Sequence, residues 1–153
     1  LYKEGLGIKK DYDKALKWFT FAAEQNNVLG ASNAGNMYFL GLGVKNNYKK
    51  AYEFYKISAK RGNSAAQNNL GTLYKEGLGT KKDYVMALKW FTSASEQKNV
   101  LGSLNAGNMY YNGLGTEVNY KKAFELLKYA AKGGNMDAKN SLNRYFKLHK
   151  TNN

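Results

Sequence analysis

The 153-residue chain contains no cysteine and no proline, a single histidine and two arginines. Without cysteine it can form neither a disulfide nor a thiolate zinc site, although that absence does not by itself fix a compartment. His149 stands near the chain end with no second histidine to share a metal, and no serine or cysteine occupies a plausible nucleophile turn beside it. Scarce arginine argues against base-specific reading of nucleic acid, where arginine makes the commonest specific contact. No run approaches the roughly 18 consecutive apolar residues that a membrane span requires. The chain begins at Leu1 and shows no signal peptide, so upstream sequence is expected.

What is abundant is lysine. Lys and Arg total 24 against 11 Asp and Glu, a net charge of +13. Such a balance points to an acidic partner, whether nucleic acid, an anionic membrane surface or an acidic protein. Asparagine and tyrosine are plentiful too, and a Lys-, Asn- and Tyr-biased composition on a solvated surface accounts for the charge equally well. The length suits one ordinary domain, 1–153, able to bury about two-thirds of its unfolded surface.

The chain is a repeat. Gly-Leu-Gly occurs at 5–7, 41–43, 77–79 and 113–115, always 36 residues apart. Tyr2, Tyr38, Tyr74 and Tyr110 precede it by three residues, and Ala15, Ala51, Ala87 and Ala123 follow it by eight. Residues 1–72 and 73–144 are identical at 47 of 72 positions, far more than neighbouring units are, so the unit last duplicated is a pair of repeats.

Apolar spacing inside each unit is helical. Ala66, Leu70, Leu73 and Tyr74 fall on one helix face, as do Tyr84, Ala87, Leu88, Phe91 and Ala94. Eight helices are predicted, near 13–25, 29–40, 48–61, 64–76, 84–97, 100–112, 120–132 and 136–149. Gly5, Gly41, Gly77 and Gly113 are expected to end first helices in the left-handed conformation glycine adopts cheaply. Asp11, Asn47, Asp83 and Asn119 are expected to cap the second helices. The boundaries follow: a partial repeat at 1–27, full repeats at 28–63, 64–99 and 100–135, and a capping helix with tail at 136–153. Helix pairs this small must stack on their neighbours to bury an apolar face.

The pattern Ala66-x-x-x-Leu70-Gly71-x-x-Tyr74-x-x-Gly77-x-Gly79, followed by Asp83 and Ala87-x-x-Trp90, resembles the Sel1-like repeat, a relative of the tetratricopeptide repeat. Gly30 and Gly102 depart from it at the first Ala, and Ala34 and Ala106 at the Leu. The resemblance implies an all-α, right-handed α-solenoid of 36-residue helix-turn-helix units that binds proteins or peptides as a scaffold or adaptor. The frame is similar to the Helicobacter cysteine-rich proteins, a secreted bacterial branch with cysteine pairs eight residues apart. Their positions correspond here to Ala23/Ala31, Ala59/Gln67, Ser95/Ser103 and Ala131/Lys139, so the disulfides do not carry over. By resemblance a secreted or periplasmic location is slightly favoured.

The residues weigh against chemistry. A phosphate-binding loop follows a strand and needs a third glycine before its lysine, whereas these turns follow helices and recur four times. Lysine pairs at 9–10, 49–50, 81–82 and 121–122 are expected along one edge, where they could attract polyanions or lipid headgroups. Tyr12, Tyr48, Tyr84 and Tyr120 are expected in the core, which denies that edge the interleaved aromatics of a nucleic-acid binder. Trp18, Phe54, Trp90 and Leu126 share one position in the second helices and are assigned to the repeat core. Some relatives have been described as binding or hydrolysing β-lactams, but S-x-x-K with its companion motifs does not occur.

The inner face remains. By analogy with tetratricopeptide repeats it is lined by first-helix residues: Ser32, Asn68, Leu104 and Asn140; Asn36, Thr72, Asn108 and Arg144; Phe39, Lys75, Tyr111 and Lys147. Asn36, Phe39, Asn68, Thr72, Lys75, Asn108, Tyr111 and Arg144 are the candidate partner-binding residues. Asparagine can bond extended backbone, lysine a carboxylate, and an aromatic ring can anchor. The sequence thus points to a non-enzymatic scaffold for a protein or peptide, possibly acidic, with no catalytic residue, cofactor or metal. A basic module for nucleic acid or anionic membrane is the alternative, with nucleic acid disfavoured, and a β-lactamase-like hydrolase is a distant third.

Overall fold

The computed structural model describes the backbone of residues 2–150 and the side chains of 11–148. Eight helices and no strands occur among the described residues: α1 Tyr2–Glu24, α2 Val28–Leu40, α3 Tyr48–Lys60, α4 Ser64–Glu76, α5 Tyr84–Glu96, α6 Val100–Asn112, α7 Tyr120–Lys132 and α8 Met136–Lys150. Each helix packs on its neighbours in sequence, giving an α-solenoid of stacked helix pairs.

The turns explain the constant period. Asn27, Asn63 and Asn99 each accept the amide of the third residue that follows, capping α2, α4 and α6, and Asn135 does the same for Ala138 in α8. Asn47, Asp83 and Asn119 cap α3, α5 and α7 in the same way. Such caps contribute about 1 kcal/mol each. Gly41, Gly77 and Gly113 end the first helices in the left-handed conformation. The loop then folds back, with the amides of Asn47, Asp83 and Asn119 bonding the carbonyls of Tyr38, Tyr74 and Tyr110.

The second glycine of each turn joins one repeat to the one before. Gly43, Gly79 and Gly115 lie on the backbone of Tyr12, Tyr48 and Tyr84, so closely that a Cβ would collide. The first copy departs from this pattern. Gly5 is not a turn and Asp11 is not a cap, because α1 runs unbroken through both. Glycine enters a helix at a cost of only about 1 kcal/mol.

Small residues and rings alternate in the core. Gly35, Gly71 and Gly107 leave room for Tyr55, Phe91 and Leu127; a Cβ would sit 2.6, 2.7 and 2.9 Å from those side chains. Ala51, Ala66, Ala87, Ala106, Ala123 and Ala138 are wholly buried around them. The fully buried position is therefore one residue past the one assigned from sequence. Phe54, Trp90 and Leu126 only pack against the core from its margin, and Trp18 is 70% exposed. Phe54 stacks on Tyr38 of the first helix in its own unit.

The expectation for the helix-starting tyrosines holds for Tyr84, which packs against the core, and needs correction for the other three. Tyr12, Tyr48 and Tyr120 are 38, 36 and 44% exposed, at the rim and not in the core. Tyr48 leans on Phe39 and Tyr120 on Tyr111, so each ring keeps one packed face and one wet one.

Candidate functional site

First helices of successive repeats touch, α4 with α6 and α6 with α8, so they form the tighter inner layer of the stack. Two cavities open on that layer. The larger, of about 590 Å³, lies between α6 and α8, with Lys75 reaching in from α4. Its wall includes Asn105, Asn108, Tyr111, Asn112, Leu127, Ser141 and Arg144. The smaller, of about 300 Å³, lies between α2 and α4 and is lined by Asn36, Phe39, Leu40, Tyr55, Asn69 and Thr72.

These are one site in two copies, 72 residues apart. Asn36 corresponds to Asn108, Phe39 to Tyr111, Leu40 to Asn112, Tyr55 to Leu127, Asn69 to Ser141 and Thr72 to Arg144. The differences set their character. Leu127 in place of Tyr55 lowers the floor of the larger cavity, and Arg144 in place of Thr72 gives it a cation. Among the described residues no carboxylate pairs with Arg144, and Lys75 meets only its neighbour Glu76, at 3.1 Å. A half-exposed pair of this kind contributes little and leaves the ammonium available.

Amides knit the inner layer. Asn36 accepts from the Tyr55 hydroxyl at 2.8 Å and from Asn69 at 3.2 Å. Asn105 donates to Asn68 at 2.9 Å, and Ser141 to Asn108 at 3.4 Å. Seven of the eight candidate residues thus line the two cavities, Lys75, Asn108, Tyr111 and Arg144 in one and Asn36, Phe39 and Thr72 in the other. Asn68 lies elsewhere: it is buried beneath Asn105, as are Ser32 and Leu104 in their own repeats. Asn69, Asn105, Asn112 and Ser141, outside the candidate set, also line the cavities. A helix advances about 100° per residue, so a face set by analogy and misplaced by one position selects the wrong asparagine of a pair.

Among the described residues, three tyrosines titrate away from their ordinary value. Burial pushes the Tyr55 hydroxyl well up. Burial also lifts Tyr74 to about 12, helped by its bond to Tyr52. Tyr52 is lowered, first by that bond, whose oxygens are 2.9 Å apart.

The lysines of pairs 49–50, 81–82 and 121–122 are exposed. Lys50 and Lys122 lie over the rings of Tyr38 and Tyr110, 4.9 and 4.5 Å from their centroids. The side chains of Lys9, Lys10 and His149 fall outside the described ones. No group of three or more His, Cys, Asp and Glu among the described residues could hold a metal. No helix there is long and apolar enough to cross a membrane.

A Sel1 repeat model matches residues 1–27, 28–63, 64–99 and 101–135. The chain belongs to the Sel1-repeat family. Similar solved structures include a protective antigen of uropathogenic Escherichia coli with an SLR fold, 36% identical over 92% of this chain with a TM-score of 0.88. A Sel1 repeat protein of Oxalobacter formigenes is 34% identical over 88%, with a TM-score of 0.79. The chain spans 30% of the length of the first and 55% of the second. Helicobacter pylori cysteine-rich protein B is 25% identical, with 86% of this chain and 94% of that one covered and a TM-score of 0.67. No curated protein matches. Sel1 repeats generally mediate protein–protein interaction and are generally not catalytic.

Where that Helicobacter branch carries cysteine pairs, this Sel1 chain places other contacts. Ser95 and Ser103 bring their hydroxyl oxygens to 2.7 Å, and Gln67 donates to the Ala59 carbonyl at 3.2 Å. Ser95 and Lys98 also stand in S-x-x-K spacing, but that serine is tied to Ser103, not to Lys98.

Proposed function

We propose that this Sel1 chain is a non-enzymatic scaffold that binds a protein or peptide on the inner layer of its solenoid. The observation that carries this reading is the pair of cavities opening on one face, walled by amides and by Phe39 or Tyr111. Amide side chains can bond an extended backbone whatever its sequence, and the rings supply rigid apolar surface at little entropic cost. The +13 charge favours an acidic ligand.

Selection from a displayed random-peptide library tests the reading. Enriched peptides should lose at least about tenfold in affinity when Lys75, Asn112 and Arg144 are all changed to Ala, with the melting temperature unchanged. These three project from the cavity wall, whereas Tyr111 is packed against Tyr120 and Tyr145 and is a poorer choice. Affinity retained both in the triple variant and when Leu40 and Thr72 of the smaller cavity are changed to Ala would end the inner-face reading.

A second reading keeps one observation in its favour: Tyr48 and Tyr120 are over a third exposed beside lysine pairs. It expects binding to DNA or anionic vesicles that falls steeply with salt. No binding at low salt removes it.

A further inference from the structure

The 72-residue register between the cavities has a consequence for the ligand. They share an inner layer and a frame yet differ in chemistry: Tyr55, Phe39 and Leu40 make the smaller one apolar and neutral, while Arg144 and Lys75 make the larger one cationic. Packed helices lie about 10 Å apart, so two repeats along a layer of touching first helices advance roughly 20 Å. Extended peptide covers about 3.3 Å per residue, or about six residues over that span. Resting on the scaffold reading above, we propose that one extended peptide occupies both cavities. An apolar or aromatic side chain seats over Phe39 and Leu40, and an acidic one about six residues away sits between Lys75 and Arg144.

The charge pattern favours this occupant over an apolar one. A desolvated carboxylate needs paired cations and hydrogen-bond donors, and only the larger cavity offers both, with Asn108 and Asn112 beside Arg144. Two anchors on one chain also raise affinity by effective concentration, which makes spacing a readable variable.

The test uses the full chain and fluorescent synthetic peptides of Gly, Ser and Thr carrying one Phe and one Glu, three, six or nine residues apart, in both orders. Peptides with a single anchor serve as references. Anisotropy titrations should show one order of the six-residue spacing binding at least about tenfold tighter than either single anchor. Arg144→Thr, which copies the smaller cavity, should remove the gain from Glu and leave the Phe-only peptide unchanged. Leu40→Asn should do the reverse. Both positions are exposed, so folding should survive. Spacing-independent affinity, or no gain over single anchors, overturns the proposal. So does equal weakening of both peptide types by Arg144→Thr. The library selection separates the two readings: enriched peptides lacking this pair but sensitive to the triple Ala variant leave the scaffold standing and the bipartite ligand refuted.

Discussion

Asn26 and Lys98 occupy the left-handed backbone region, each at φ 63°, where the alternate repeats carry Gly62 and Gly134. The strain differs between them, because asparagine tolerates this conformation and lysine does not. Asn26 is also held, its carbonyl and side-chain oxygens receiving the guanidinium of Arg61 at 3.1 and 2.8 Å. Lys98→Gly should therefore raise stability by about 1 kcal/mol in urea unfolding, and Asn26→Gly should not. Gly79→Ala should cost at least about 3 kcal/mol, since it combines a φ of 68° with a collision against the Tyr48 carbonyl. The spacing of Gly-Leu-Gly already marks Gly79 as a turn residue. That the second glycine grips the preceding repeat was not legible, because the contact is to a residue 31 positions earlier.

Tyrosine titration belongs to the same scale. Tyr55 and Tyr74 are raised in the folded state, so it holds their protons more tightly than the unfolded chain does. Their contribution is complete below pH 10, the ordinary tyrosine value; that of Tyr74 is lost as pH rises through about 12, and Tyr55, pushed well up by burial, loses its own at high pH too. The lowered Tyr52 works in the opposite sense and offsets part of this loss. Tyr55→Phe should cost about 1 kcal/mol at pH 7, through the bond to Asn36, yet make the decline above pH 10 shallower. Unfolding titrations of both chains from pH 8 to 12 measure the difference.

At the scale of elements, helix positions and caps were readable because they depend on local chemistry: an asparagine or aspartate at one end, a glycine at the other, apolar residues between. Where a neighbour decides, the reading failed. α1 runs helical through Gly5, where a turn was expected, and Trp18 is exposed, where core was expected. The rim tyrosines were misplaced because a phenol satisfies core and solvent alike. The contact between α5 and α6 offers a test of repeat geometry. With their hydroxyls at 2.7 Å, Ser95→Cys together with Ser103→Cys should oxidise to a disulfide and add about 2–3 kcal/mol for so short a loop. Mass spectrometry and thermal unfolding, with and without reductant, read the bond and its effect.

For the whole molecule, identical frames with alternating fillings produce a surface that repeats every second unit. The frame was visible in the 36- and 72-residue periods. The cavities were not, since their volumes turn on Tyr55 against Leu127, two apolar residues that a sequence pattern scores alike. The central claim is that ligands engage the inner layer and not the lysine edge. Amide chemical-shift mapping with a library-selected peptide tests it directly. Perturbations should cluster at Asn36, Thr72, Asn108 and Arg144, with Lys49, Lys81 and Lys121 unmoved. Perturbations concentrated on those lysines, with the inner layer silent, would contradict it.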